Sequence, residues 1–129
     1  MPSSSPKSTG TAKLPSDQPA RRLRDIVDNA EAILRYTADL DSTAFAENQL
    51  VYDAVERCLE RISEAFSKLG DQAPILLPNQ PWREIRALGN RLRHSYDEVG
   101  VDHIWEIVTG DLRPLIQACT KALERLARS

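Results

Sequence analysis

Between residues 51 and 69, the apolar side chains Val51, Val55, Cys58, Ile62, Ala65 and Leu69 are spaced alternately four and three apart. On an α-helix of 3.6 residues per turn, this spacing keeps all six on one narrow line. Such a line suits a helix packed lengthwise along others, so the rest of the chain has to supply neighbours of similar length. It does. Leu23, Ile26, Val27, Ala30, Ile33, Leu34 and Thr37 form an earlier stripe in a pattern that turns helical at Ala20. Ile85, Leu88, Leu92 and Tyr96 form a later one, with Pro81 suited to its first turn. A fourth pattern begins at Val101 or Asp102 and continues through Ile104, Trp105, Ile107 and Val108 to Leu115, Ile116, Cys119, Leu123 and Leu126.

The punctuation agrees with four helices. Asp41 or Ser42 is placed to cap the second helix, and Gly70 follows its last apolar position. Pro74 and Pro78 make residues 71–80 a connection rather than a helix. Pro114 falls inside the fourth pattern and predicts a kink there, or a division after Leu112. No segment alternates with the period of a strand. The fold class expected is all-α, an antiparallel four-helix bundle whose last helix is kinked near Pro114.

A chain of 129 residues makes one such domain, placed at residues 20–129. Residues 1–19 are rich in Ser, Pro, Thr and Gly and cannot bury enough apolar surface to offset the entropy of ordering, so they read as a flexible tail. No apolar run approaches the roughly 20 residues needed to span a bilayer, and no secretory signal is expected at the start. The location expected is the cytoplasm. Cys58 and Cys119 lie within apolar helical patterns and read as core thiols. With two cysteines, two histidines and no close ligand spacing, neither a metal nor another cofactor is expected.

The net charge of −2 argues against broad electrostatic capture of nucleic acid but leaves room for a local basic patch. Arg83, Arg86, Arg91 and Arg93 crowd into the third helix. By helical phase His94 points roughly opposite Ile85, with Arg83, Ala87 and Asn90 on its side, and Arg91 is three residues earlier. A histidine in that setting is able to take or give a proton near neutrality, and a guanidinium is able to hold a phosphate. Together they meet the needs of metal-free RNA cleavage: a base takes the 2′-hydroxyl proton and a cation supports the phosphorane. An exposed histidine on a solvated, charged helix face is the plain alternative. Tyr96 falls on the apolar side, as a core aromatic whose hydroxyl reaches water. His103, beside Asp102, reads as solvent-exposed, and Trp82 and Trp105 as packing residues that fix how the third and fourth helices meet. Glu56 with Glu60, and Glu60 with Glu64, read as repelling neighbours rather than as an acid–base pair.

The run Pro81-Trp82-Arg83-Glu84-Ile85 through Asn90-Arg91-Leu92-Arg93-His94-Ser95-Tyr96, followed by Val101-Asp102 and Ile104-Trp105-Glu106, resembles the HepT-like family of the HEPN superfamily. Asp53-Ala54-Val55 with Leu59, Ile62, Glu64 and Ala65 looks like its second helix, and Asp111-Leu112 with Pro114-Leu115 like its closing one. The likeness covers about residues 20–127. It implies a toxin of a toxin–antitoxin pair, a homodimer in which the polar motifs of two chains meet at a composite ribonuclease cleft. It also implies a minimal nucleotidyltransferase as antitoxin partner, which transfers AMP to the tyrosine of a His-x-Tyr element, here His94-Ser95-Tyr96. By that resemblance His94 is the acid–base residue, Asn90 the polar residue four before it, and Tyr96 the AMP acceptor. Arg83 and Arg93 would contact RNA phosphates.

The sequence departs from the family at one place. The ribonuclease motif Arg-x(4–6)-His has no arginine in register: Gly89, Leu88 and Ala87 stand five, six and seven before His94. Arg86 is eight before it and Arg91 three before. Arg91 by proximity, or Arg86 or Arg83 from a partner chain, would have to substitute. Otherwise the chain is a non-catalytic interaction module that binds the nucleotidyltransferase without cleaving RNA. Gly89 costs a helix about 1 kcal/mol relative to alanine, a cost that close approach of a second backbone would explain.

Overall fold

The computed structural model describes residues 17–128 except 95–99, and of Asp17, Gln18, Trp82, Arg83, Arg93 and His94 the backbone alone. The regular elements among the described residues are all helices, without a strand: α1 (Asp17–Thr37), α2 (Ser42–Glu47), α3 (Gln49–Leu69), α4 (Ala73–Leu76), α5 (Trp82–His94), α6 (Val101–Gly110) and α7 (Leu112–Arg128). The all-α bundle expected from the spacing is the fold observed. Helix α3 is its centre, packed against α1 on one side and α5 on the other, while α7 packs on α1. The line from Val55 to Leu69 is buried, together with Leu59 and Phe66, which broaden it. Leu23, Ile26, Ala30 and Ile33 of α1 meet it, with Leu112, Leu115, Cys119 and Ala122 of α7 in the same core.

The structure refines three boundaries. The second helix is two, because Asn48 breaks it. The Asn48 side chain accepts from the Val51 amide at 3.0 Å and its own N–H donates to the Phe45 carbonyl, so one residue ends α2 and caps α3. This turn tips α2 inward and buries Phe45 completely, a residue outside the apolar stripes. The stretch read as a connection holds a 3₁₀ turn (Gly70–Gln72) and the one-turn helix α4, since Pro74 sits in the first turn of α4, where no amide hydrogen is needed. The fourth helix divides at Asp111 rather than after Leu112, and Pro114 lies within the first turn of α7 rather than at a mid-helix kink.

Two termini match their sequence signals. Asp41 is extended (φ −97°) and accepts from the Ala44 amide at 2.8 Å. Asp41→Ala is expected to cost about 1 kcal/mol, read as a shift in the urea midpoint without change of slope. Gly70 closes α3 at φ +57°, a conformation costly for any residue with a Cβ. Cys58 and Cys119 are free, buried thiols; burial pushes the Cys119 thiol up to about 12 and raises that of Cys58. No helix among the described residues is long and apolar enough to cross a membrane.

Candidate functional site

Helix α5 has two faces. Leu88, Gly89 and Leu92 are buried and Ile85 is half-buried, which seats the helix on α3. Glu84, Arg86, Ala87, Asn90 and Arg91 are exposed. The α3 side of the crossing carries the small, buried Ser63, whose hydroxyl donates to the Arg86 carbonyl at 3.4 Å. The side chains of Arg86, Asn90 and Arg91 thus stay on the water side, where guanidinium groups keep their reach for a phosphate. Arg86 and Asn90, one turn apart, share a line. Arg91 stands off it.

Arg83, Arg93 and His94 belong to α5, with His94 its last residue; their side chains lie outside the described residues, as Tyr96 does entirely. The structure therefore brings Arg86, Asn90 and Arg91 onto the exposed surface of the helix that ends in His94. The exposed side of α5 carries a single carboxylate among the described side chains, Glu84 in its first turn, where the helix dipole favours an anion.

Arg91 also lines a groove of about 540 Å³ between α5, α3 and the junction of α6 with α7. Its floor is aliphatic, from Leu59, Ile62, Leu88 and Leu115, and its rim includes Glu84, His103 and Asp111. His103 is exposed, as expected, with its Nδ1 3.8 Å from Oε1 of Glu106, a surface pairing worth under about 1 kcal/mol. Trp105 packs against Phe45 of α2 (ring centroids 5.0 Å apart); the Trp82 side chain lies outside the described residues.

One pair escaped the sequence reading. Tyr52 and Glu56 are one turn apart on α3, both half-buried, and the Tyr52 hydroxyl donates to the Glu56 carboxylate. Burial, followed by the Glu56 charge, pushes the Tyr52 phenol up to about 12. Burial also raises Glu56; the Tyr52 hydrogen bond opposes that, and the charges of Asp53 and Glu60 add to it. The Tyr52 ring rests against Phe45 at 5.6 Å. The four-residue spacing of a phenol and a carboxylate was the signal available, hidden within the run of repelling acids.

A family model described as ribonuclease HepT-like matches residues 26–122, a span that takes in all of α5 and α6. The chain belongs to the ribonuclease HepT-like family. It is 37% identical over 92 residues to a "Putative RNase" of Methanocaldococcus jannaschii, covering 70% of this chain and 83% of that one. A second "Putative RNase" of the same organism is 30% identical over 106 residues, 81% and 90% of the two chains. A "Probable ribonuclease HepT" of Thermococcus cleftensis is 32% identical over 93 residues, 72% and 84%. No solved structure matches significantly. For a HepT-like chain the placement of Gly89 is informative: it is buried, while Arg86 and Arg91 to either side are exposed.

Proposed function

We propose that this HepT-like chain is a metal-independent endoribonuclease, the toxin of a toxin–antitoxin pair, working in the cytoplasm as a homodimer. The observation that carries this reading is the exposed Arg86, Asn90 and Arg91 on a helix that ends at His94, the first residue of the sequence element His94-Ser95-Tyr96. The family membership and the RNase names of the relatives support RNA as substrate. In this reading His94 takes the proton of a 2′-hydroxyl, and the freed oxygen attacks the neighbouring phosphorus. The bond from phosphorus to the 5′-oxygen breaks, leaving a 2′,3′-cyclic phosphate. The departing 5′-oxygen takes a proton from the partner subunit's His94. Arg91 or Arg86 stabilises the charge on the phosphorane in place of the arginine missing at Gly89, and Arg83 and Arg93 hold flanking phosphates.

A nucleotidyltransferase antitoxin silences the enzyme by moving AMP from a nucleoside triphosphate to the Tyr96 hydroxyl, with loss of pyrophosphate. The added phosphate charge and bulk beside His94 repel RNA. Tyr96→Phe is expected to remove all AMP addition, seen as loss of the mass increase after incubation with the transferase and ATP, and to leave RNA cleavage insensitive to the transferase. The test of the activity is incubation of purified, AMP-free protein with cellular RNA in the presence of chelator.

The second reading is a non-catalytic module that binds the nucleotidyltransferase and receives AMP. Gly89, buried at the motif position, favours it. Absence of cleavage by AMP-free dimer under every condition would decide for this reading.

A further inference from the structure

The groove beside α5 is apolar within and electrically uneven along its length. Above its buried aliphatic floor stand the half-buried Ile85 of α5 and Ile107 of α6. On α5, Glu84, Ala87, Leu88 and Arg91 line it, at the spacing of a single line along a helix. Glu84 opens that line in the first turn, and Arg91 closes it about two turns later, shortly before His94. Across the groove, Pro114 lies beside Asn79 and Gln80, which directly precede α5. Asp111, just ahead of Pro114, therefore stands at the Glu84 end. His103, about two turns earlier on α6, lies toward the Arg91 end. One end is acidic and the other basic.

This polarity selects the occupant. A phosphodiester suits the Arg91 end, next to the exposed Arg86 and Asn90, and is repelled from Glu84 and Asp111. Neither of those carboxylates is ion-paired among the described side chains. What fits the remainder is an uncharged group with apolar faces and a hydrogen-bonding edge, which describes an unstacked nucleobase. The volume of about 540 Å³ falls within the roughly 300–1,000 Å³ of sites that take small ligands. An ionised carboxylate only accepts hydrogen bonds. Guanine presents it with two adjacent donors, the N1–H and the 2-amino group, whereas uracil offers one N–H between two carbonyls.

We propose that this groove is the base subsite of the ribonuclease, and that Glu84 makes it select guanine. The base lies over the aliphatic floor with its N1–H and 2-amino group donating to the Glu84 carboxylate, while its phosphate stays with Arg91. The proposal rests on the ribonuclease reading and names the substrate preference of that site.

The test is fluorescence anisotropy of AMP-free protein with short 2′-O-methyl uridine oligomers, with and without one guanosine. These lack a free 2′-hydroxyl and stay intact. The guanosine oligomer is expected to bind about tenfold more tightly, the lower part of the range for a paired hydrogen bond to a base edge. Glu84→Gln is expected to bring the two within about twofold while leaving the uridine oligomer's affinity nearly unchanged. Ala87→Leu, which narrows the groove from an exposed position, lowers the guanosine preference without touching the carboxylate. Equal binding of both oligomers by the parent, or binding of neither, overturns the proposal and leaves the groove to a protein segment. A guanosine preference that survives in both variants overturns it as well. Failure of the ribonuclease reading shows separately: the parent then cuts no RNA in chelator, while the preference is read from binding alone.

Discussion

In the homodimeric ribonuclease proposed above, His94→Ala is expected to lower RNA cleavage in chelator by at least about 10²-fold while leaving the assembly intact. Removal of a proton carrier raises the barrier by what that carrier supplies, and general acid–base catalysis supplies about 10²–10⁴-fold. In the proposed homodimer both copies are lost at once. The fold has little to lose by comparison. His94 is the last residue of α5, and the helix is held by Leu88, Leu92 and the Ser63 contact, all upstream. Product gels, growth inhibition on expression and light scattering of the purified protein together make the measurement. A His94→Ala protein as toxic as its parent would place the chemistry elsewhere. Equal inactivity of both, with mass confirming that AMP is absent, would favour the binding module.

Phe45→Ala carries the second-largest effect, on stability. The ring is fully buried and touches Tyr52 of α3 and Trp105 of α6 at centroid distances of 5.6 and 5.0 Å. Helix α2 has six residues, too few to persist on propensity alone, so its place depends on this contact. Loss of a buried phenylalanine costs about 3–5 kcal/mol, a large share of the roughly 5–15 kcal/mol that holds a domain together. At this chain length the midpoint temperature should fall by about 10 °C or more, and Phe45→Leu by well under half of that. A fall of only a degree or two would show that α2 is not anchored by Phe45. Tyr52, the hydrogen-bond partner of Glu56, shares this cluster, so Phe45→Ala is also expected to loosen that pair.

The helices themselves were legible because burial on a bundle leaves a period in the sequence. The alternating line from Val51 to Leu69, the stripe from Leu23 to Thr37 and the caps at Asp41 and Gly70 are local signals, each read from residues within a turn or two of one another. The family resemblance was legible for a related reason: its blocks are short runs in a fixed order along the chain, and the family match over residues 26–122 confirms it.

Where helices break and what their ends meet was decided elsewhere. Asn48 is an ordinary helix residue until its side chain takes the Val51 amide and lets Phe45 turn into the core; both depend on α6 being there to receive the ring. Trp105 was read as a packing residue, but which helix it packs on is a matter of topology. Glu56 looked like one acid in a repelling series, because its four-residue spacing from Tyr52 was hidden beside the same spacing from Glu60. The sequence alone determined the helices, their apolar faces and the helix that bears the motif, since those follow from periodicity and local capping. Tertiary structure alone decided that Gly89 is buried between exposed arginines, that α2 is folded in on Phe45, and that Trp105 of α6 meets that ring, since these depend on residues far apart in the chain.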